Sequence, residues 1–272
     1  MRLKTFFFLH FFILSLWAQE RIVSLSPSIT EIVYALGKGE ELVATSAYSL
    51  HPKEAQSLPI IGGYESPSLE KILSHSPTLV LGQSYNTQPL EKLEKFHIKT
   101  LVLKLKTLED IKKSITHLGS VLGAEAEAKQ LLTNITNAIT NASKSQKQHS
   151  VMIVYGLKED LRNGIYIAGH NIFFEDIITA CGNTNAYTSN AAEQPVLSYE
   201  NVIALNPDQI IILHSHATEP NVDVTKALES WYSLPTNAAK NNKISIVDEA
   251  YLHIPSHRVA LTATRLCKEM ND

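Results

Sequence analysis

Imidazole and phenol side chains follow two apolar segments in the second half of the chain. His214 and His216 come directly after one such segment, and Tyr251 and His253 follow another. Imidazole nitrogen and phenolate oxygen can bind haem iron, a ferric chelate or a nickel complex. The sequence therefore predicts either metal ligation by these four residues or polar loops that line a cleft and contact no metal.

A repeat in the sequence places two glutamates at matched points, half a chain apart. Residues 68–81 and 198–211 share a pattern in which Glu70 and Pro77 correspond to Glu200 and Pro207. Each copy predicts a short helix with a serine N-cap, followed by a buried strand. A unit that recurs half a chain apart predicts two similar lobes with a ligand cleft between them. The simpler interpretation of the glutamates is that a helix dipole favours acids in the first turn.

The elements that position these residues alternate between strand and helix. Short apolar runs predict strands at residues 21–25, 42–46, 79–82, 100–103, 150–155 and 243–247. Helical spacing predicts helices between them, and Thr107 with Asp110 has the spacing of a capping box. This alternation predicts an α/β fold with mostly parallel sheets that are covered on both faces.

One long helix separates the two halves of the repeat. Apolar residues keep near-helical spacing from Glu125 to about Ser145, and a polar run follows. We therefore predict an N-terminal lobe at 19–123, an inter-lobe helix at 124–147 and a C-terminal lobe at 148–272. The alternative is a helix that packs on one sheet without bridging.

The first 18 residues have the pattern of an export signal. Arg2 and Lys4 precede an apolar run of about a dozen residues, which is shorter than a membrane span. We predict a signal peptide at 1–18 and an exported protein, with an uncleaved anchor as the alternative. No cysteine lies near the cleavage point, so lipid anchoring is not expected. The net charge of −3 gives no basic field for nucleic acid.

Cys181 and Cys267 are the only cysteines. In an exported chain a lone pair usually forms a disulfide, which here would tie the last helix to the second lobe. Two unpaired buried thiols are the alternative.

Three segments together resemble the periplasmic receptors of cobalamin and iron-chelate (siderophore, haem) ABC importers, above all the cobalamin-binding members. They are residues 21–31 (RIVSLSPSITE), the two Ser-x-Glu copies, and residues 180–186 (ACGNTNA). The resemblance implies a class III periplasmic binding protein, in which two Rossmann-like lobes are joined by one long backbone helix. It also implies that Glu70 and Glu200 dock on arginines of a dimeric inner-membrane permease, and it favours a disulfide between Cys181 and Cys267.

By the same resemblance, a ligand would lie between the lobes, against loops that follow the strands. The expected ligand-binding residues are Ser26, Tyr48, Tyr64, Gln83 and Tyr85 in the first lobe and Phe173, His214, His216, Tyr251, His253 and Arg258 in the second. Tyr48 and Tyr64 match cleft aromatics of the cobalamin receptors. Gln83 and Val196 stand where those receptors have tryptophan, which places cobalamin itself in question.

The function predicted from the sequence is capture of a metal-bearing chelate, by a monomer without a cofactor, for delivery to an ABC permease. One alternative is a receptor for a free transition metal such as nickel, iron or zinc that uses the cleft histidines. A periplasmic hydrolase is the other alternative. The chain contains no GxSxG, HExxH, P-loop or GxGxxG pattern, so we do not expect an enzyme.

Overall fold

The computed structural model describes residues 20–142, 148–189, 192–215 and 221–271. The predicted signal peptide and His216 lie outside these residues. The described chain contains two separate sheets, and we call the parts built on them lobe one (residues 22–121) and lobe two (residues 150–271). In these residues no helix combines the length and the apolar character needed to cross a membrane.

Lobe one is built on a fully parallel sheet of four strands in the order β2-β1-β3-β4. The strands are β1 (Ile22–Ser24), β2 (Leu42–Thr45), β3 (Leu79–Gln83) and β4 (Lys99–Leu103). The helices are α1 (Pro27–Ala35), α2 (Leu69–Ser74), α3 (Thr87–Glu94) and α4 (Leu108–Val121). Helices cover both faces because successive strand residues point to opposite sides. Ile22 packs with α1 and α4, whereas its neighbour Val23 packs with α2 and α3.

Lobe two has a mixed sheet of six strands. The order is β10-β9-β5-β6-β8, and β7 pairs with the start of β5. The strands are β5 (Ser150–Tyr155), β6 (Ile165–Ile167), β7 (Thr184–Asn185), β8 (Val196–Leu197), β9 (Gln209–His214) and β10 (Ile244–Asp248). The helices are α6 (Phe173–Ala180), α7 (Tyr199–Leu205), α8 (Val224–Tyr232), α9 (Asn237–Lys240) and α10 (Val259–Asn271). The strands β5, β9 and β10 are parallel, and β6 is antiparallel to β5.

The connecting helix α5 (Glu125–Thr140) contacts α4 of lobe one and both α6 and α10 of lobe two. Its buried residues join one apolar cluster that includes strand residues of both sheets. The helix is shorter than predicted, because Asn141 is its C-cap and donates its N–H to the carbonyl of Asn137. Residues 143–147, at the end of the predicted inter-lobe segment, lie outside the described residues, so the domain boundaries stay a prediction.

A disulfide joins α6 to α10. Cys181 and Cys267 are bonded, with their Cα atoms 5.1 Å apart, and both side chains are buried in the cluster around α5. The predicted pairing is therefore confirmed. The bridge closes a sequence separation of 86 residues, so the chain-entropy model assigns it roughly 4 kcal/mol.

The repeat seen in the sequence is also present in the structure. Ser68 and Ser198 are the N-caps of α2 and α7, and each hydroxyl oxygen accepts a hydrogen bond of 3.3 Å from the backbone N–H of the third helical residue. The helices lead into β3 and β9, which are inner strands of their sheets. The predicted capping box is confirmed as well, since Thr107 and Asp110 exchange hydrogen bonds at the start of α4.

Candidate functional site

The loops after the carboxyl ends of the two sheets meet each other. Glu31, which follows β1, binds Ser256 and Arg258, which follow β10. Lys106, which follows β4, forms a salt bridge of 2.6 Å with Glu193 in lobe two. Ligands of open α/β sheets bind at the carboxyl ends of the strands. The candidate site is therefore the cleft between these two sets of loops.

The lobe-one wall of this cleft is a hydrogen-bonded set of neutral groups. The side-chain amide of Gln83 donates to the Ser26 hydroxyl over 2.6 Å. The buried side chain of Asn86 accepts from the Gln83 backbone N–H and donates to the Tyr64 carbonyl over 2.7 Å. The rings of Tyr64 and Tyr85 pack edge to face with centroids 6.1 Å apart. Four predicted ligand-binding residues are thus adjacent and held in place.

Aromatic faces of lobe one are open to a ligand. Tyr48 is 64% exposed, and Tyr64 and Tyr85 are 39% and 46% exposed. Such rings suit a flat, partly apolar ligand because they bury much area and keep a polar end. Burial raises the pKa of Tyr85 to about 12, although a hydrogen bond with Ser26 opposes the shift. The free protein therefore presents Tyr85 as a neutral phenol and not as a phenolate.

The lobe-two wall contains aromatic residues that the sequence analysis missed. Tyr155, the last residue of β5, packs against Phe174 and His253 with ring centroids 5.7 Å and 6.1 Å away. Burial raises the pKa of the Tyr155 phenol, and its hydrogen bond with Gln194 opposes that shift. Tyr166 lies beside Tyr155 in the sheet and is 48% exposed. Tyr155 could have been found, because it ends a strand that the sequence predicts. Tyr166 could not, because it is on β6, which the sequence does not predict.

Phe173 and Arg258 lie in the junction between the lobes and are largely buried. Phe173 is 6% exposed, stacks on Phe174 and donates its backbone N–H to the Lys106 carbonyl. Arg258 is held by both carboxylate oxygens of Glu31, which is itself 3% exposed. Its guanidinium also lies 5.7 Å from the Tyr251 ring centroid. Both residues link the two lobes, and direct ligand contact by either stays a prediction.

The histidines do not form a metal site within the described residues. His214 is the last residue of β9 and is 3% exposed, while His253 packs on Tyr155. His216 lies outside the described residues. In the described part of the chain, no three His, Cys, Asp or Glu side chains come together as a ligand set for a metal ion. A role of Tyr251 and the histidines against a bound chelate stays a prediction.

The two matched glutamates occupy the second helical position of α2 and α7, and both are exposed. A helix that leads into a parallel strand runs opposite to it, so both helices begin at the carboxyl edge of a sheet, on the cleft side. A hydrogen bond with the Ser198 side chain, followed by one with the backbone N–H of Glu200 and one with Tyr199, lowers the pKa of Glu200. Each lobe thus presents an exposed glutamate beside the cleft.

Comparison with known proteins agrees with this geometry. The family described as periplasmic binding protein matches residues 22–251. The vitamin B12-binding protein of Pectobacterium carotovorum subsp. carotovorum is 30% identical over 92% of this chain and 88% of its own length. Among solved structures, the apo form of the periplasmic heme-binding protein RhuT from Roseiflexus sp. RS-1 is 26% identical, with a TM-score of 0.77 over 93% of this chain and 98% of its own.

A second solved structure extends the likeness in fold. The periplasmic heme-binding protein HutB of Vibrio cholerae is 22% identical and has a TM-score of 0.79 over 94% of this chain and 100% of its own. At this identity the likeness shows the fold alone. The matched region runs from β1 to the loop after β10 and therefore includes both lobes and the cleft. This chain belongs to the periplasmic binding protein family, whose members bind ligands and are not enzymes.

Proposed function

We propose that this protein is the substrate-binding component of an ABC importer and captures a metal-bearing chelate (a corrinoid, a ferric siderophore or haem) in the cleft between its lobes. The observation that carries the proposal is the family match across both lobes. Relatives named for vitamin B12 and for heme support a macrocyclic metal complex as the ligand class. Residues 1–18 would direct the chain to the periplasm as a cleaved signal.

The cleft walls support a whole chelate over a free ion. Tyr48, Tyr64 and Tyr85 offer exposed rings in lobe one, and Tyr155 and Tyr166 are paired at the carboxyl end of β5 in lobe two. Ring faces stabilise a flat ligand by burying its area, whereas a free transition metal requires three or four converging nitrogen, sulfur or oxygen ligands. Among the described residues no three His, Cys, Asp or Glu side chains converge as such a ligand set, which supports a whole chelate as the ligand.

To test capture, the protein is first purified from its native periplasm. Absorbance and mass spectrometry then identify any small molecule that copurifies with it. The stripped protein is then titrated by calorimetry with cyanocobalamin, haemin, a ferric siderophore, NiCl₂ and ZnCl₂. Calorimetry is preferable to tryptophan quenching, because Trp231 is the only tryptophan after residue 18 and is buried on α8. We expect at least one chelate to bind with 1:1 stoichiometry. Binding of a free ion alone would replace the proposal with the free-metal receptor.

Delivery to the permease is assigned to Glu70 and Glu200. A bidentate contact with arginine is geometrically selective, and two such contacts on one rigid body act together. The double variant Glu70→Arg/Glu200→Arg should keep the ligand affinity of the native protein and abolish uptake in cells. Glu109→Arg/Glu229→Arg reverses exposed acids on α4 and α8 and should leave uptake unchanged. Normal uptake in the first variant would remove these residues from docking.

A further inference from the structure

Lys158, at the cleft, has no carboxylate partner among the described residues, whereas other cations around it do. Arg258 is paired with Glu31, Arg162 with Asp160, and Lys106 with Glu193. Lys158, in the loop that follows β5, has no carboxylate within 4.0 Å of its ammonium among the described residues. Its charge is therefore not neutralised by the protein in this part of the chain.

Lys158 is nevertheless held in one place. Its ammonium donates to the carbonyl of Gly164 over 2.7 Å and to that of Asn163 over 3.4 Å. Gly164 has φ of +79°, and a Cβ there would come within 2.8 Å of the Val196 side chain. The turn that presents these carbonyls thus requires glycine. Two of the three ammonium donors are used in this way, so the charge is fixed and remains available to an anion.

The ammonium lies on the cleft side of lobe two. It is 4.6 Å from the centroid of the Tyr166 ring. Tyr166 is directly opposite both Tyr155 and Val196 in the sheet, so the three side chains are on the same face. Tyr155 is the last residue of β5 and contacts His253 in the loop that follows β10, so Lys158 and Tyr166 lie at the carboxyl edge of the sheet, where the cleft loops begin. Tyr166 and Val196 are 48% and 53% exposed there.

We propose that Lys158 and Tyr166 form a subsite for a carboxylate of the captured chelate, so that this protein prefers acidic chelates to uncharged ones. The inference rests on the proposed function, because it concerns which chelate enters the same cleft. An ammonium fixed over a ring binds an acid group through a charge-assisted hydrogen bond, while the ring packs against the apolar body of the ligand. The facing groups Ser26, Gln83 and Tyr85 are neutral, and the acidic Glu65 lies near Tyr85 on the opposite rim.

The test compares haemin, which has two propionate groups, with its uncharged dimethyl ester. We expect the native protein to bind haemin at least about tenfold more tightly than the ester, which corresponds to one charge-assisted hydrogen bond. In Lys158→Met, which keeps the aliphatic stem, this ratio should fall to near one with the ester affinity unchanged. Lys158→Arg should keep most of the preference. Lys240→Met, on α9 before the amino end of β10, should keep all of it.

The outcomes separate this inference from the proposed function. An equal acid-to-ester ratio in the native protein and in Lys158→Met overturns the subsite and leaves chelate capture in place. Equal weakening of both ligands in Lys158→Met assigns the lysine to the turn alone and also overturns the subsite. If the protein binds cyanocobalamin but not haemin, the subsite is likewise overturned and chelate capture stays in place. Failure to bind any chelate overturns the proposed function, and the subsite with it.

Discussion

The two lobes are built on one plan but are stabilised by different chemistry. Beneath its cleft wall, lobe one contains a buried network of hydroxyls, in which Thr45 lies 2.6 Å from Thr30 and donates to Ser49 over 2.8 Å. Lobe two has instead a disulfide between α6 and α10. The same division appears at the cleft, where Ser26, Gln83 and Tyr85 of lobe one are neutral and lobe two carries Lys158. A duplicated frame therefore leaves each half free to acquire its own stabilising and recognising groups.

The largest expected loss of stability comes from removing the disulfide of lobe two. Cys181→Ala/Cys267→Ala should lower the free energy of unfolding by about 4 kcal/mol, because the unfolded chain regains the freedom of a long loop. Urea unfolding of the native protein with and without reductant measures the same contribution of the disulfide to the free energy of unfolding. Since lobe one contains no cysteine, its hydroxyl network should not respond to reductant. An unchanged transition midpoint in the double variant would contradict this assignment.

The next effect concerns the ion pair that joins the lobes. Glu31→Gln leaves the guanidinium of Arg258, which is 13% exposed, without its anion and should cost about 3 kcal/mol. The double variant Glu31→Gln/Arg258→Met removes the unpaired charge and should recover part of this loss. A thermal unfolding series of the native protein, Glu31→Gln, Arg258→Met and the double variant measures the coupling between the two residues. Additive effects would mean that the pair does not couple the lobes.

A smaller effect depends on pH at the same junction. Burial, with Arg258 and then His51 of lobe one, lowers the pKa of His257 from 6.5 to about 4. Between these values the unfolded chain binds more protons than the folded one, so stability rises with pH in this window. The free energy of unfolding should be about 2 kcal/mol lower at pH 5 than at pH 7 from this residue alone. His257→Gln should remove that part of the pH dependence, and an unaltered profile would contradict the pKa shift.

The smallest effect tests the hydroxyl network of lobe one. Thr45→Val keeps the shape of the side chain but removes its hydrogen bonds with Thr30 and Ser49, at a cost of about 1 kcal/mol. Thr116→Val, on an exposed face of α4, is the matched control and should cost less. Urea unfolding measures both. A larger loss in the control than at Thr45 would show that the network does not stabilise lobe one.

Much of the fold could be predicted from local pattern. The parallel strands β1 to β4 and β5, the capping box at Thr107 and the serine caps of α2 and α7 follow from apolar runs and short-range hydrogen bonding. The short strands β6, β7 and β8 were missed, because two or three residues carry no period of their own. β6 and β7 pair with β5, and β8 pairs with β6, so each forms only where another strand offers an edge.

The candidate site was less predictable than the fold. The set Ser26, Tyr64, Gln83 and Tyr85 was found because these residues follow predicted strands. Arg258 was expected at the ligand, but its partner across the junction is Glu31, 227 residues away in the sequence. Tyr166 and Lys158 were not predicted as site residues. Tyr166 is on β6 and Lys158 is held by the turn before β6, and the sequence predicts neither element.

The sequence by itself determined the two-lobed α/β architecture, the matched glutamates and the residues available for a disulfide, because apolar periodicity and capping act over a few residues. Only the tertiary structure decided which charges are neutralised and which are left open. Glu31 and Arg258 meet across the lobes, whereas Lys158 meets carbonyls and a ring and no carboxylate within the described chain. Charge pairing depends on distances in space between segments far apart in the chain, and no local pattern encodes those distances.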